Sequence, residues 1–256
     1  MKAVILAAGY ATRLRPLTDD VPKHLLPVGD RPMLDWVLDR VREVEDVDAI
    51  HLVTNSRFAS TFEAWAGPHG VTVHDDGTTS NEDRLGAVGD LRLVVEAAEL
   101  EDDELLVLAG DNLFELSLPR FVEWWRAKPQ PASAVPLHDV GDLELATNYG
   151  IAATDGEDRI VRFLEKPSDP PSTLASTLIY LLAPDHVQPV RTYLEEGQSP
   201  DNAGSFLGWL AGREPVYGYR FEGSWYDIGD HAQLLEADNR LRRLAGLPER
   251  ESYSLS

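Results

Sequence analysis

The sequence predicts an α/β protein with a Rossmann-like, mainly parallel mixed sheet that carries helices on both faces. Two observations predict this class. Short apolar strands alternate with amphipathic helical segments over the first 130 residues, which is the pattern of βαβ units. The first strand, residues 2–7 (KAVILA), is apolar without alternation, as expected of a central strand buried on both faces.

The elements of the first half follow one another in βαβ order. A loop at residues 8–31 follows the first strand, and apolar side chains then recur at helical spacing from Met33 to Val41. We predict further strands at 49–54, 71–74 and 105–110, and helices at 57–66, 86–99 and 117–125. Ligands of such sheets bind beyond the carboxyl ends of the strands, so the candidate site lies there.

The rhythm changes after residue 130, where strands follow strands. We predict strands at 132–137, 149–154, 159–164, 174–182 and 216–222, with helices at 186–196, 204–212 and 230–244. Asp155-Gly156 stands where a hairpin would turn. We therefore predict one domain over residues 1–246, with a small α+β part in its second half (131–246) and a loosely held tail at 247–256.

Composition excludes several classes of protein. A formal net charge of −21 repels nucleic acids and anionic membranes. The sequence has no apolar run long enough to cross a membrane and no export signal. It also has no cysteine, which excludes disulfides and thiolate metal sites. We expect a cytoplasmic protein, and the sequence leaves its oligomeric state open, with a homo-oligomer among the alternatives.

The loop at residues 8–31 has the composition of a binding loop. At 24 residues it is too long to be a simple connector. Buried leucines, such as Leu14 and Leu26, would hold it against the core, and Gly9 would let the backbone approach a ligand closely. Arg13 and Lys23 supply a planar fork and a point charge that suit phosphate oxygens.

Two segments of this loop resemble a family signature. Gly9–Thr18 (GYATRLRPLT) and Pro22–Val28 (PKHLLPV) resemble the G-x-G-T-R-L-x-P-[LM]-T and P-K-x-L-[LV]-P-[VI] motifs of the sugar-1-phosphate nucleotidyltransferases. The likeness is greatest to the glucose-1-phosphate thymidylyl and uridylyl group. Ala11 stands where the family usually has glycine, which is tolerable only if this residue does not need a positive φ.

The resemblance implies a nucleotidyltransferase fold and a reaction. An NTP, with dTTP or UTP favoured, would react with a sugar 1-phosphate to give an NDP-sugar and pyrophosphate. Residues 1–130 would bind the nucleotide and residues 131–246 the sugar. Arg13 would hold the β and γ phosphates, and Lys23 would act at the α-phosphate. The implied nucleotide-binding residues are Leu6, Ala8, Gly9, Tyr10, Ala11, Thr12, Leu85 and Gly86. Ala87 stands where related enzymes often have Gln or Thr, so the base stays open.

Two aspartates resemble the family's magnesium carboxylates. Asp111 follows a buried strand in Gly110-Asp111-Asn112, and Asp227 lies in the segment SWYDIGD. Mg²⁺ in proteins takes one or two carboxylates together with substrate phosphates. The resemblance therefore implies that Asp111 and Asp227 bind Mg²⁺, and it counts Asp111 as catalytic with Arg13 and Lys23.

The second half carries the implied sugar-phosphate site. The segment from Tyr149 to Pro167 matches a Y-G…E-K-P pattern. By resemblance, the Gly150 backbone and Glu165 would bind sugar hydroxyls, Lys166 the phosphate, and Thr177 would reach the sugar. Leu178 replaces a residue that is usually small.

Two other functions stay open at this point. The first is a catalytically silent homologue that binds sugar nucleotides as a regulatory subunit. The departures from the family pattern at Ala11, Ala87 and Leu178 favour this alternative. The second is a cytidylyltransferase acting on a phosphate that is not a sugar. A P-loop or dinucleotide-binding enzyme is disfavoured because neither of their glycine motifs follows a strand.

Overall fold

The computed structural model describes residues 1–255, which contain fourteen strands and eight α-helices. The strands are β1 Lys2–Leu6, β2 Pro27–Val28, β3 Arg31–Pro32, β4 Ala49–Thr54, β5 Thr72–Asp75, β6 Leu105–Ala109, β7 Asn112–Phe114, β8 Ser133–Asp139, β9 Gly150–Thr154, β10 Ile160–Glu165, β11 Leu174–Ser176, β12 Ile179–Leu182, β13 Val216–Arg220 and β14 Trp225–Asp227. The helices are α1 Met33–Arg42, α2 Ala59–His69, α3 Ala87–Ala98, α4 Leu118–Arg126, α5 Leu143–Ala146, α6 Pro189–Glu195, α7 Ala203–Ala211 and α8 His231–Leu244. Short 3-10 turns occur at Thr12–Leu14, Lys23–Leu25 and Pro184–His186.

Ten of the strands form one mixed sheet. Its order is β10-β9-β11-β8-β12-β6-β1-β4-β5, and β13 also pairs with β8. Strands β6, β1, β4 and β5 are mutually parallel. Strand β12 is antiparallel to β6 and joins this group to the strands of the second half. The predicted fold class is confirmed, and both halves of the chain contribute to the same sheet.

The core lies on both faces of this sheet. Along β1, Ala3 and Ile5 pack into one apolar cluster, and Val4 and Leu6 pack into the other. Helices α1, α2, α4 and α8 contribute buried side chains to the first cluster, while α3, α6 and α7 contribute to the second. Because successive side chains of a strand point to opposite faces, a strand covered on both faces must be apolar throughout. This explains why KAVILA shows no alternation.

The long loop is held by the core, as its leucines predicted. Leu14 and Leu26 are fully buried. Ala11, however, adopts the left-handed conformation, with φ 46° and ψ 42°. Its carbonyl oxygen accepts hydrogen bonds from the Leu14 amide and the Thr18 hydroxyl, which hold this conformation. The condition for a tolerable alanine is therefore not met, and the loop carries a strain of roughly 1 kcal/mol or more at this residue.

Two sequence expectations require correction. The strand predicted at 174–182 is interrupted, because the Thr177 amide and hydroxyl both donate to the Pro136 carbonyl between β11 and β12. The tail is anchored rather than loose. Asn239 of α8 exchanges two hydrogen bonds with the Arg250 backbone, and the Tyr253 hydroxyl donates to the Pro27 carbonyl at 2.6 Å. No helix within residues 1–255 is both long and apolar enough to span a membrane.

Candidate active site

Two clefts meet at the carboxyl edge of the parallel strands. The loop cavity has a volume of about 340 Å³, and the residues that line this cavity alone are Leu6, Ala8, Gly9, His24, Arg84, Gly86 and Asp90. The hairpin cavity has a volume of about 240 Å³, and the residues that line this cavity alone are Asn112, Asn148, Tyr149, Gly150, Phe163, Glu165, Lys166, Ser176, Tyr180, Ala203, Gly204, Trp225 and Asp227. The two cavities share Ala87, Ala109, Asp111, Leu178, Asp201 and Asn202. Asp111 therefore stands at their junction.

The end of β6 places Asp111 at this junction. β6 runs parallel to β1, and the Gly110 amide donates to the Leu6 carbonyl immediately after β6 ends. A β-carbon on Gly110 would lie 3.0 Å from the His24 ring and 3.2 Å from Ile5. Only glycine fits there without displacing neighbours, so the chain turns tightly and the next side chain, Asp111, projects at the strand edge.

Asp227 reaches the same place through a second, two-stranded sheet. Strand β14 pairs antiparallel with β7, and this register sets Asp227 opposite Asn112. Residues opposite one another in such a pair have β-carbons about 5 Å apart. Asp227 therefore lies beside the residue that follows Asp111, and both aspartates line the hairpin cavity.

Lys23 bonds directly to one of these carboxylates. Its Nζ lies 2.5 Å from Asp111 Oδ2, and the two side chains are 9% and 23% exposed. Burial would raise the Asp111 pKa, but the Lys23 ammonium outweighs it and holds that pKa below its usual value. The cavity walls around Asp227 and the charge on Asp111 raise the Asp227 pKa to about 6, although Asp227 keeps contact with solvent. The junction thus holds more negative charge than Lys23 neutralises.

The two carboxylates fit a divalent cation that brings part of its own coordination. No group of three or more His, Asp or Glu side chains within residues 1–255 is placed to hold a metal ion. Asp111 and Asp227 are therefore the candidate ligands, and a hard cation would complete its shell with phosphate oxygens and water. Asp227 is free to coordinate, because its carboxylate accepts no hydrogen bond from the described chain.

Glu165 is seated in the hairpin cavity between two glycines. A β-carbon on Gly150 would lie 2.7 Å from the Phe163 ring and 2.8 Å from Glu165 Oε2, and one on Gly204 would collide with the same carboxylate. Burial raises the Glu165 pKa, and the neighbouring Lys166 opposes that shift. Lys166 itself has a φ of 45°, and its amide donates to the Tyr149 carbonyl at 3.0 Å.

Thr177 does not face the hairpin cavity. It is fully buried, and its hydroxyl donates to Pro136, so the side chain expected at the sugar points into the core. Ser176, Leu178 and Tyr180 line the cavity instead. Residues 176, 178 and 180 thus share the cavity face, but an alternating pattern alone does not say which face of a strand meets the ligand, so the sequence did not single out Tyr180.

Aromatic rings that sequence reasoning missed complete the hairpin cavity. The Tyr149 and Trp225 rings lie 5.2 Å apart, centroid to centroid, and both line it. Tyr180 is almost fully buried, and burial followed by the Glu165 charge raises its pKa above the usual value.

The predicted nucleotide-binding residues divide into two groups. Leu6, Ala8, Gly9 and Gly86 line the loop cavity, whereas Tyr10, Ala11, Thr12 and Leu85 lie outside it. Tyr10 is buried and hydrogen-bonds Thr78 Oγ1 at 3.0 Å.

Arg13 and the charged residues of the loop cavity differ in whether they are paired. Arg13 is exposed and makes no ion pair or hydrogen bond within residues 1–255. Sequence reasoning missed His24, Arg84 and Asp90, and also Asp201, which forms an ion pair with Arg84 at 3.1 Å. Pairs that form only when distant segments pack leave no local signal in the sequence.

The chain is similar to known proteins over nearly its whole length. A family model described as "Nucleotidyl transferase" matches residues 2–243. The chain is 32% identical over 241 residues to a UTP--glucose-1-phosphate uridylyltransferase of Synechocystis sp. PCC 6803, covering 90% of this chain and 60% of that protein. It is 28% identical to the UTP--glucose-1-phosphate uridylyltransferase AglF of Haloferax volcanii, covering 94% and 97%. The chain spans about 60% of the length of the first of these relatives.

The names of other relatives specify different nucleobases. A mannose-1-phosphate guanyltransferase of Debaryomyces hansenii is 27% identical, covering 92% of this chain and 63% of that protein. A solved structure described as a glucose-1-phosphate thymidylyltransferase from Bacillus anthracis is 26% identical, with a TM-score of 0.79 and coverage of 94% and 95%. The family match, over residues 2–243, shows that the chain belongs to the nucleotidyl transferase family.

Proposed function

We propose that this protein transfers a nucleotidyl group from an NTP to a sugar 1-phosphate, releasing pyrophosphate and giving an NDP-sugar. One observation carries the proposal: Lys23, Asp111 and Asp227 converge where the loop cavity meets the hairpin cavity. UTP or dTTP is favoured, and the names of the uridylyl and thymidylyl relatives support this choice.

The two cavities divide the substrates between them. The NTP occupies the loop cavity with its phosphates towards Asp111, and the sugar 1-phosphate occupies the hairpin cavity. A phosphate oxygen of the sugar attacks the α-phosphorus in line, and the bond to pyrophosphate breaks on the opposite side. Such a transfer needs no protein nucleophile, and catalysis consists of positioning and charge stabilisation.

Cationic side chains stabilise the charge that develops on the phosphates. Lys23 acts at the α-phosphate, Lys166 binds the sugar phosphate, and the exposed Arg13 folds over the β and γ phosphates. Asp111 and Asp227 would hold Mg²⁺, and the chemistry that this ion supplies when bound is neutralisation of phosphate charge.

The hairpin cavity recognises the sugar. Glu165 accepts hydrogen bonds from sugar hydroxyls beside the Gly150 backbone. Tyr180 replaces Thr177 in our assignment, because it lines the cavity while Thr177 faces the core. The apolar faces of Tyr149 and Trp225 cover the sugar ring and keep water from the transferred group.

A panel of NTPs crossed with phosphorylated acceptors, with release of pyrophosphate as the readout, tests this proposal. We expect Mg²⁺-dependent release with a hexose 1-phosphate, abolished by EDTA. Binding of the NTP without any release would favour the silent regulatory homologue. Release only with CTP and an acceptor that is not a sugar would favour the cytidylyltransferase. The convergence of Lys23, Asp111 and Asp227 argues against the silent homologue, since nucleotide binding alone would not require it.

A further inference from the structure

Two buried carboxyl groups meet beneath the loop cavity. Asp90 is 6% exposed and Asp76 is 8% exposed. Asp90 Oδ1 and Asp76 Oδ2 are both buried without a conventional hydrogen-bond partner in the described chain. The two side chains satisfy one another when a single proton lies between them. The other oxygen of Asp76, Oδ1, already accepts from the Thr78 amide at 2.7 Å.

Only one member of the pair faces the cavity. Asp90 lies in the first turn of α3, just after Gly86, and lines the loop cavity, whereas Asp76 does not. The carboxyl group of Asp90 accepts no hydrogen bond from any donor in residues 1–255. Asp90 therefore presents a buried carboxyl group without a protein donor at the wall of the loop cavity.

The sheet sets this acceptor at a distance from the phosphate site. Asp111 follows β6 and Asp76 follows β5, and these strands are separated by β1 and β4. Three strand spacings of about 4.8 Å give a span of roughly 14 Å. If the phosphates lie at Asp111, as the proposed function requires, the ribose and base extend along the loop cavity towards Asp90.

We propose that Asp90 reads the nucleobase by accepting a hydrogen bond from a ring N–H, which selects uracil, thymine or guanine over cytosine and adenine. This inference rests on the proposed function and deepens it. Uracil and thymine carry N3–H and guanine carries N1–H. The corresponding atoms of cytosine and adenine are lone-pair acceptors, so two acceptors would face each other in a buried site. A site built to pair with an N–H strongly rejects a ligand that lacks it.

The charges around Asp90 support an acceptor role. Burial and then the neighbouring Asp76 raise the Asp90 pKa to about 8, so the pair keeps one proton at neutral pH. Burial also raises the Asp76 pKa. The pair therefore carries one negative charge, and with the proton held between the two carboxyl groups the cavity-facing oxygen of Asp90 acts as an acceptor. Arg84 lines the same cavity, but its guanidinium is paired with Asp201.

Substitution at Asp90 tests the inference with a fixed sugar 1-phosphate and varied NTP. We expect the wild-type protein to use UTP, dTTP or GTP at least 100-fold better than CTP or ATP, measured as kcat/KM. Asp90→Asn keeps the shape and presents an amide N–H₂ that can donate to cytosine N3. We expect this variant to lose 10-fold or more with UTP and to gain with CTP. Asp76→Asn is the matched control, since its amide can donate to Asp90 and leaves the cavity-facing oxygen of Asp90 as the acceptor, so we expect it to keep the wild-type preference.

A modified substrate makes the test independent of any variant. N3-methyl-UTP lacks the N–H, and we expect the wild-type protein to use it at least 10-fold less well than UTP. Equal use of N3-methyl-UTP and UTP, or an unchanged UTP preference in Asp90→Asn, would overturn the inference while leaving nucleotidyl transfer intact. No pyrophosphate from any NTP would instead refute the proposed function. In that case, equilibrium binding of UDP against CDP still tests Asp90, and equal affinities would refute its role.

Discussion

The loop cavity and the hairpin cavity hold their charged side chains in different ways. In the loop cavity, Lys23 is bonded to Asp111 and Arg84 to Asp201, and the buried carboxyl group of Asp90 neighbours that of Asp76. In the hairpin cavity, the side chains of Glu165 and Lys166 form no ion pair or hydrogen bond within residues 1–255.

The two cavities therefore differ in the free-energy cost of binding a ligand. A ligand in the hairpin cavity meets groups that are already free, whereas a nucleotide or metal in the loop cavity must compete with existing pairs. The Lys23–Asp111 pair is the clearest case, because both of its members are needed by the proposed chemistry. We infer that the loop cavity exchanges partners during turnover, while the hairpin cavity is preorganised for its ligand.

Breaking the central pair should give the largest effect. Lys23→Ala removes the cation from a junction that already holds two carboxylates, and Asp111→Asn removes a proposed metal ligand. We expect each substitution to lower turnover by on the order of 10² or more, because each removes a charge opposite transition-state charge. The measurement is pyrophosphate release at saturating substrates.

A lysine–aspartate ion pair on the surface, outside both cavities, provides the control for this experiment. Lys2 bonds Asp48 at 2.9 Å on the surface, and we expect Lys2→Ala to leave turnover within about twofold of the wild type, as surface pairs contribute little. Near wild-type turnover in both Lys23→Ala and Asp111→Asn would contradict the proposed roles of the junction.

Acid should weaken the fold through the loop cavity. His24 lines that cavity and is 4% exposed, and burial lowers its pKa from 6.5 to about 4. Between these values the unfolded chain binds the proton and the folded protein does not, so the free energy of unfolding falls as pH falls from 6.5 to 4. The contribution is roughly 3 kcal/mol over this window, of which the step from pH 7 to pH 5 covers about 2 kcal/mol.

Urea unfolding at pH 7 and pH 5 measures this contribution. His24→Gln should reduce the loss of stability between the two pH values relative to the wild type. His231→Gln removes an exposed histidine outside both cavities and should not change that loss. An equal loss of unfolding free energy between pH 7 and pH 5 in the wild type and in His24→Gln would show that His24 does not cause the pH dependence.

Opening the hairpin cavity should affect only one substrate. Glu165→Ala removes the carboxylate between Gly150 and Gly204, and we expect the sugar-phosphate KM to rise about 10-fold, as for loss of a hydrogen bond to a charged group. The NTP KM should stay within about twofold, since Glu165 does not line the loop cavity. Glu157→Ala, at the exposed turn of the same hairpin, is the control. An equal rise in both KM values would show that the two cavities are not separate sites.

Much of the frame could be predicted from the sequence because it depends on local patterns. The apolar run of β1 predicted a central strand, and the buried positions of Leu14 and Leu26 follow from an apolar pattern within a polar loop. Asp111 could be placed at the strand edge because the carboxyl ends of parallel strands meet on one side of a sheet.

Other features depend on tertiary contacts that a single sequence does not encode locally. With 44 acidic residues in the chain, nothing except the family resemblance distinguished Asp227, whose position comes from the pairing of β14 with β7. The proximity of Asp76 and Asp90 joins the residue after β5 to the first turn of α3. Thr177 was misplaced because the break between β11 and β12 depends on a hydrogen bond to Pro136, a residue of another strand.

The smallest expected effect concerns backbone strain, which both cavities share. Ala11 in the loop and Lys166 beside the hairpin cavity have φ values of 46° and 45°. Ala11→Gly should raise the free energy of unfolding by roughly 1 kcal/mol, because glycine adopts this conformation without steric cost. Glu99→Gly is the matched control, since Glu99 is exposed, has a φ of 56° at the end of α3 and lies outside both cavities.

Together the two glycine variants separate strain from function. We expect both to stabilise the protein in thermal or urea unfolding, and only Ala11→Gly to change the NTP KM, because Ala11 lies in the loop that carries Arg13, the proposed ligand of the β and γ phosphates. A destabilised Ala11→Gly variant would show that the fixed backbone of alanine contributes more to the loop than its strain costs, as glycine also gains entropy in the unfolded chain. The backbone of the loop would then be preorganised, as we infer for the hairpin cavity. The two cavities would differ only in whether their charged side chains are already paired.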